Sequence, residues 1–171
     1  MKSIKHILSE ISLNFNTLAE TSVPQIEEAS ILMLTTLKNG GKIMFCGNGG
    51  SASDAQHLSA ELVGRYMKNR KPLASVSLTT DTSIITAISN DFTFDDIFSR
   101  QVESIGNGGD LLYAISTSSR SKNVINAIKV AKKMNIKTLG ITGNNDVGFR
   151  DICDVIINTP ASRPDRIQEM H

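Results

Sequence analysis

Apolar residues recur at helical spacing through the N-terminal part of the chain. From about residue 3 to residue 20 they lie three or four positions apart, at Ile4, Leu8, Ile11, Phe15 and Leu18. A second helix is predicted to start at Ser22, because Pro24 and Glu27 follow at positions typical of a helix N-terminus. The glycine-rich residues 39–41 then end it. The chain is therefore predicted to open with a helical hairpin.

Five short apolar runs follow, and each predicts a buried strand. They lie at about residues 42–46, 73–78, 110–115, 137–141 and 154–158. Helical segments alternate with them at about residues 52–68, 84–91, 94–105, 122–135 and from 165 onwards. This alternation predicts an α/β fold, a parallel sheet flanked by helices on both faces. The length of 171 residues favours a single domain, residues 1–171.

Composition and charge limit the kinds of function that the protein could have. Apolar residues make up 40% and charged residues 20%, which is typical of a globular protein. The net charge of +1 and the lack of a strong basic cluster give no support to nucleic-acid binding. No apolar run approaches the roughly 20 residues that span a bilayer, so no membrane association is predicted. Residues 1–6 lack the features of a signal peptide, and Cys46 and Cys153 are interpreted as buried free thiols, so a cytoplasmic location is predicted.

A glycine-rich turn separates the first predicted strand from the helix after it. Gly47, Gly49 and Gly50 allow a tight turn and a close backbone approach to a ligand, and Ser51 is predicted to cap the helix. A strand, a glycine turn and a helix N-terminus together are a recurring anion site. Further along the same helix, His57 and Glu61 are four residues apart and so share one face. The pattern indicates chemistry on a phosphorylated small molecule.

A second polar loop follows the third predicted strand. Residues 116–121 contain four serines and a threonine. A single hydroxyl would be enough to cap the following helix, so this cluster favours a second anion site. Because both loops follow strands of a parallel sheet, they are predicted to meet at the carboxyl edge and to share one sugar phosphate.

These blocks together are similar to a known family. The residues that carry the resemblance are Cys46–Ser51, Asp54, His57, Glu61, Gly64–Tyr66, Asn90–Phe92, Phe98–Arg100, Ser116–Ser118 and Arg166–His171. In this order and spacing they resemble the phosphoheptose isomerases of the sugar-isomerase (SIS) fold. The resemblance implies a flavodoxin-like, five-stranded SIS domain that forms a homotetramer with active sites between subunits. It also implies interconversion of sedoheptulose 7-phosphate and a manno-heptose 7-phosphate, which supplies heptose to lipopolysaccharide or other surface glycans.

The resemblance also implies roles for individual residues. Glu61 would be the catalytic base, and His57 a second acid/base or a zinc ligand, with Glu61 and Gln168 as further ligands of a zinc cofactor. The sequence alone leaves simpler interpretations open: a solvated glutamate and a structural histidine. The residues that would bind substrate are Asn48, Gly49, Gly50, Ser51, Glu61, Asn90, Asp91, Ser116, Thr117, Ser118, Ser121, Asp165 and Gln168. Asp165 is alternatively a helix N-cap, and Asp91 a turn residue.

Two departures from the family pattern bear on activity. Ser119 stands where the family has a glycine, so a positive φ there would cost about 1 kcal/mol and tilt the loop. The final helix is expected to be cut short, because the family's second histidine would fall beyond His171. Two alternative functions remain open: a non-catalytic SIS-fold tetramer that binds the replication initiator protein, and a sugar-phosphate sensor. Relatives of the first kind lack the glutamate that Glu61 supplies here, so the enzyme is favoured.

Overall fold

The computed structural model describes residues 3–171, which form seven α-helices and five β-strands. The helices are α1 (Ile4–Thr21), α2 (Val23–Lys38), α3 (Gly50–Val63), α4 (Thr82–Asp91), α5 (Ser99–Ile105), α6 (Lys122–Lys133) and α7 (Pro164–Met170). The strands are β1 (Ile43–Gly47), β2 (Ser75–Ser77), β3 (Leu111–Ile115), β4 (Lys137–Thr142) and β5 (Val155–Asn158). Met1 and Lys2, at the start of the segment interpreted as lacking a signal peptide, lie outside the described residues.

All five strands run parallel in one sheet, in the order β2-β1-β3-β4-β5. This is the flavodoxin-like order, in which the order of the strands reverses between β1 and β3. The predicted parallel sheet and its flanking helices are confirmed. The carboxyl ends of β1 and β3 are level with each other, because Gly47 pairs with Ile115.

Side chains alternate between the two faces of the sheet and build one core on each. Met44 and Cys46 point into a core closed by α5 and α6, whereas Ile43 and Phe45 point into a core closed by α2 and α3. Every residue of β1 and β3 is buried. Continuous apolar runs are typical of strands covered on both faces, which is why the pattern predicted them well.

The predicted N-terminal hairpin is confirmed by α1 and α2. Ser22 joins the two helices, and its hydroxyl donates a hydrogen bond to the carbonyl oxygen of Asn158 at the end of β5, 2.8 Å away. None of the residues of α1 is buried, although the helix carries the apolar repeat described above. The apolar side chains of the hairpin thus remain largely open in this single chain.

Three predicted elements differ from the observed ones. The helix expected to reach residue 68 ends at Val63, and the segment 94–105 divides into a 3-10 helix at Phe94–Asp96 and α5. The second strand is shortened to Ser75–Ser77. This strand lies at the edge of the sheet, so only one neighbouring strand, β1, forms hydrogen bonds with it and limits its length.

Two predictions about the whole chain concern membranes and cysteines. Among residues 3–171, no helix is long and apolar enough to cross a membrane.

Cys46 and Cys153 are both free, the first fully buried and the second half-buried. Burial raises the pKa of the Cys153 thiol to about 12 and that of Cys46 further still, so both thiols are protonated at neutral pH.

Candidate functional site

The glycine turn and the hydroxyl loop lie side by side at the carboxyl edge of the sheet. The turn continues from β1 and the loop from β3, and these two strands are hydrogen-bonded neighbours. The sequence predicted that the glycine turn and the hydroxyl loop would be neighbours, because ligands of open parallel sheets bind where the strand order reverses.

Backbone geometry explains the glycines of the turn. Gly49 has φ +56°, a left-handed conformation that favours glycine, and it is the residue that precedes α3. A side chain at Gly50 would lie 2.9 Å from Oε1 of Gln168, so the missing Cβ makes room for α7. The prediction that Ser51 caps the helix is wrong, because α3 already begins at Gly50. Ser51 is instead buried, and its hydroxyl faces Oε1 of Gln168 at 3.4 Å.

The hydroxyl loop is arranged around its own serines. The Oγ atoms of Ser116 and Ser121 lie 3.1 Å apart, and Ser118 Oγ accepts a hydrogen bond from the Arg120 amide at 3.2 Å. Ser121 is the residue before α6, yet its side chain makes no capping hydrogen bond. The helix cap, which was the simpler interpretation of this cluster, therefore does not account for it. The Thr117 carbonyl accepts a hydrogen bond from the amide of Gly143, which fixes the loop against the end of β4.

Ser119 adopts the positive φ that the family pattern led us to expect, at +52°. Its side chain is fully buried and donates a hydrogen bond to the Asn145 carbonyl at 2.9 Å. The same hydroxyl accepts a hydrogen bond from the Gly148 amide at 3.3 Å. The serine thus ties the hydroxyl loop to the loop between β4 and β5, which a glycine could not do.

Helix α3 brings the predicted catalytic pair together. His57 Nε2 and Glu61 Oε1 lie 3.3 Å apart, one turn from each other, as their spacing predicted. The His57 side chain is 77% exposed and that of Glu61 35% exposed, so the pair is open on one side. Beside it lies a hollow of about 370 Å³ with a mainly apolar wall, which includes Phe45, Leu58 and Tyr66. The pair and the hollow beside it are therefore open to solvent on one side.

Asp54, one turn before His57, extends the polar face of α3 towards the sheet. Burial raises the pKa of its carboxyl group, and the nearby His57 partly opposes this shift. The Gln168 side-chain amide donates a hydrogen bond to Asp54 Oδ2. This contact fixes α7 against the start of α3 and places Gln168 beside Asp54 and Ser51.

Asp165 is an ion-pair residue. Arg163 precedes the helix as its N-cap, so the alternative that Asp165 is the cap is wrong. Its carboxylate lies 2.6 Å from Arg163 and 3.3 Å from Arg166. Desolvation alone would raise the pKa of Asp165, but the hydrogen bonds and positive charges of these arginines outweigh it and lower the pKa.

Asn90 and Asp91 belong to a different element, the end of α4. They end α4 and are exposed, and the Asn90 amide donates a hydrogen bond to the Asp91 carboxylate at 2.9 Å. Among residues 3–171, neither side chain forms a hydrogen bond with the glycine turn or the hydroxyl loop. Their role in substrate binding stays a prediction.

Comparisons with known proteins bear on this site. The SIS domain family model matches residues 7–143. The phosphoheptose isomerase of Aliarcobacter butzleri is 49% identical over 168 residues, which cover 96% of this chain and 89% of that protein. The phosphoheptose isomerase of Campylobacter jejuni serotype O:6 is 52% identical over 147 residues, 86% of this chain and 79% of that protein. The chain belongs to the phosphoheptose isomerases of the SIS family.

Solved structures of phosphoheptose isomerases share the fold. The GmhA enzyme of Neisseria gonorrhoeae has a TM-score of 0.92 and 43% identity, covering 98% of this chain and 90% of that chain. The Francisella tularensis phosphoheptose isomerase has a TM-score of 0.93 and 33% identity, covering 100% of this chain and 93% of that chain. The resemblance drawn from the motifs is thereby confirmed.

Zinc was the cofactor implied by resemblance to the phosphoheptose isomerases, and the donor set fits it in part. Two ligands of one tetrahedral zinc ion, each about 2.0–2.2 Å from the metal, lie roughly 3.3–3.5 Å apart, and His57 and Glu61 meet this separation. Gln168 is held against Asp54 instead. Within residues 3–171, no group of three or more His, Cys, Asp or Glu side chains could hold a metal. This chain would thus offer two zinc ligands, His57 and Glu61, together with the side-chain amide of Gln168. A catalytic zinc ion takes three protein ligands.

Sequence reasoning missed two residues that hold the segments of this candidate site. Arg70 donates hydrogen bonds to the carbonyl oxygens of Glu61 at 2.7 Å and Leu62 at 2.8 Å, and so holds the end of α3. Asn123, near the start of α6, forms two hydrogen bonds with Asn48. Arg70 lies in a polar stretch, and Asn123 follows the hydroxyl loop without a motif of its own. No local pattern could have identified either residue.

Proposed function

We propose that the chain interconverts sedoheptulose 7-phosphate and D-glycero-D-manno-heptose 7-phosphate. The observation that carries the proposal is the His57–Glu61 pair, placed on the helix whose glycine turn adjoins the hydroxyl loop. A base beside a phosphate-sized polar loop is what an aldose–ketose isomerase requires. Family membership adds the substrate class, since the relatives above are phosphoheptose isomerases.

Glu61 would move the proton between adjacent carbons of the sugar. Its carboxylate removes a proton from one carbon, which gives an enediol, and returns the proton to the other carbon. His57, whose Nε2 lies 3.3 Å from Glu61, has two alternative roles: it carries a proton between the two oxygens of the enediol, or it is a zinc ligand. No atom is gained or lost in this sequence, so Glu61 ends in the state in which it began.

The two loops would divide the substrate between them. The hydroxyls of residues 116, 118 and 121 and the start of α6 would hold the phosphate, because hydroxyls and the positive end of a helix dipole favour an anion. The turn at residues 48–51 would face the sugar. Asn90, Asp91, Asp165 and Gln168 are proposed to complete the binding site, in keeping with the resemblance.

We also propose that zinc binds at this site through His57, Glu61 and Gln168. The separation of the first two side chains supports this set. When bound, the ion would polarise the sugar oxygens and favour the enediolate. Metal content of purified protein tests this: His57→Ala should bind less zinc than wild type, whereas His6→Ala, an exposed histidine of α1, should bind as much. Equal zinc content in all three proteins would contradict the ligand assignment.

A homotetramer with sites between subunits is proposed for two reasons. The open side of the His57–Glu61 pair leaves room for a second copy, and ligand sites are usually more enclosed than this. The apolar side chains on α1 and α2 offer a surface to cover, including Ile4, Leu8, Ile31 and Leu34. The enzyme would work in the cytoplasm and supply heptose to lipopolysaccharide or other surface glycans, as the resemblance implies.

Turnover of sedoheptulose 7-phosphate, measured with and without added zinc, tests the main proposal. Wild type should convert the ketose to the aldose, and Glu61→Gln should be about 10²–10⁴-fold slower because the base is lost. Glu103→Gln, an exposed glutamate of α5, is the matched control and should keep full activity. The isomerase proposal fails if wild type shows no conversion under either condition. Unchanged turnover in Glu61→Gln would remove the base assignment alone.

A further inference from the structure

A reciprocal amide pair links the two loops of the site. Asn48 follows β1 directly, and its Nδ2 donates a hydrogen bond to Oδ1 of Asn123 at 2.9 Å. Asn123 Nδ2 donates the second hydrogen bond to Asn48 Oδ1, also at 2.9 Å. Asn123 belongs to the first turn of α6, directly after the hydroxyl loop, so the pair connects the two segments proposed to take the sugar and the phosphate.

The pair is built into the protein. Asn123 is only 2% exposed, and its Oδ1 also accepts a hydrogen bond from the Val124 amide at 2.9 Å. Both Oδ1 acceptors and one donor hydrogen of each amide are used within the pair. A buried amide group that loses its partner is costly, which gives the link a fixed geometry.

The core does not depend on this link. β1 and β3 are already joined along five residue pairs, and apolar side chains pack both faces of the sheet. The amide pair lies beyond the last paired residues, Gly47 and Ile115. What it adds is the separation between the segments that leave those two strands.

We infer that Asn123 is a positioning residue, which sets through Asn48 the distance between the sugar turn and the phosphate loop and thereby selects the length of the sugar phosphate. This inference rests on the proposed function. With the phosphate held at one loop, the reacting carbons of a seven-carbon sugar must reach Glu61. A fixed separation favours that length over five- and six-carbon ketose phosphates. Asn48 would then contribute to the site through its hydrogen bonds with Asn123. The rival explanation is that the Asn48 side-chain amide contacts the sugar directly.

The kinetics of four proteins test the inference: wild type, Asn48→Ala, Asn123→Ala and the double variant. Displacements of about 1 Å cost roughly 10²-fold, so each single variant should lose about 10- to 100-fold in kcat/KM for sedoheptulose 7-phosphate, mainly through KM. Activity on fructose 6-phosphate and ribulose 5-phosphate should change less, so selectivity falls. The double variant should be no worse than either single one, because each already breaks the pair. Additive losses, or unchanged selectivity, would overturn the inference.

Asn123→Asp separates the link from a local role in α6. The aspartate side chain keeps the shape and the acceptor for both the Val124 amide and the Asn48 side-chain amide, but it has no donor for Asn48 Oδ1, so two oxygens would face each other where the second hydrogen bond was. We expect this variant to lose selectivity as Asn123→Ala does. Wild-type selectivity in Asn123→Asp would show that the hydrogen bond donated by Asn123 does not set the separation of the two loops, and it would sink the inference even if Asn123→Ala failed to fold.

Binding measurements keep this test apart from that of the reaction. Inorganic phosphate would occupy the hydroxyl loop only, so its affinity should be the same in wild type and in the three alanine variants. The affinity for sedoheptulose 7-phosphate should fall by about the same factor as kcat/KM. If wild type binds this sugar phosphate but does not turn it over, the isomerase proposal fails while the link remains testable by affinity. Equal loss of both affinities would indicate a collapsed phosphate loop and contradict the positioning role.

Discussion

At the scale of single residues, Ser119 shows how a strained backbone is retained. A serine with φ +52° is disfavoured relative to glycine, but its buried hydroxyl bonds to Asn145 and Gly148. Gly148 is matched to it, because a Cβ there would collide with the Ser119 carbonyl oxygen. The two loops are therefore fitted to each other, and the expected tilt of the hydroxyl loop is opposed by these bonds.

Ser119→Ala should destabilise the protein. Alanine keeps the cost of the left-handed conformation and loses both hydrogen bonds, so we expect a loss of about 1–3 kcal/mol in the free energy of unfolding. Ser119→Gly loses the same bonds but relieves about 1 kcal/mol of backbone strain, so its loss should be smaller. Urea unfolding measures both. Ser30→Ala, whose exposed hydroxyl bonds only to Ile26 in the preceding turn, should stay near wild type; a similar loss there would deny Ser119 its role.

The ionisation of Asp110 should make the stability of the protein depend on pH. Its buried carboxylate accepts hydrogen bonds from the Lys42 side chain at 2.5 Å and from the amides of Lys42 and Asn107 at 2.9 and 2.8 Å. Desolvation alone would raise its pKa, but these partners outweigh it and lower the pKa. A lowered folded-state pKa gives stability that is present above the unfolded value of about 3.9 and lost as pH falls through the folded value.

Asp110→Asn should therefore cost more stability at pH 6 than at pH 2. Hydrogen bonds to a charged group are worth about 1.5–3 kcal/mol, which sets the size of the loss at pH 6. Unfolding by urea at both pH values gives the difference. Asp151→Asn, an exposed aspartate, is the control and should change stability little at either pH. A loss that is the same at pH 6 and pH 2 would show that the charge of Asp110 does not matter.

Residue-level predictions from sequence succeeded where the contact is local. The spacing of His57 and Glu61 was enough to place them together, because a helix fixes neighbours four residues apart. The pairs Asn48–Asn123 and Asp54–Gln168 span 75 and 114 residues, so the fold alone brings them together. The role of Ser51 was misjudged for a related reason: Gly49, with its positive φ, is the N-cap, so α3 starts two residues earlier than predicted.

At the scale of elements, the helix α3 carries the site and its end was the hardest feature to predict. Apolar periodicity predicted the helix but extended it to residue 68, whereas it ends at Val63. Gly64 weakens the last turn, and Arg70 returns to bond the carbonyl oxygens of Glu61 and Leu62. Arg70, eight and nine residues further along the chain, thus holds the end of the helix and fixes the backbone of the proposed base.

Removing Arg70 should loosen that end of α3 and slow catalysis. In Arg70→Ala the two carbonyl oxygens lose their donors, so amide hydrogen exchange in residues 58–66 should be faster and kcat should fall about tenfold or more. Arg70→Lys should recover only part of the loss, because one ammonium group cannot replace the planar fork of the guanidinium. Arg150→Ala, which removes an exposed arginine paired with Asp146, should change neither measurement. Fast exchange with wild-type kcat in Arg70→Ala would separate Arg70 from catalysis.

At the scale of the whole molecule, the N-terminal hairpin is the part whose purpose the single chain does not explain. Its helical pattern was predicted correctly, yet the pattern could not show which apolar side chains face the sheet. Ala29 is buried on the α2 face of the sheet, while Ile31 is 65% and Leu34 51% exposed, and α1 buries no residue. Large exposed apolar surfaces are typical of interfaces, so the excess of apolar positions over core positions supports the proposed tetramer.

A double variant of α2, Ile31→Glu with Leu34→Glu, should disrupt this assembly. Two charges placed in an apolar interface must be desolvated, so light scattering should show dimers or monomers where wild type shows tetramers. Turnover should fall with the assembly, because the proposed tetramer would cover the open side of the His57–Glu61 pair. Val147→Glu is the matched control: Val147 is 68% exposed but lies in the loop between β4 and β5. If the α2 variant remains a tetramer, the interface is elsewhere; if it dissociates with full activity, each site is complete within one chain.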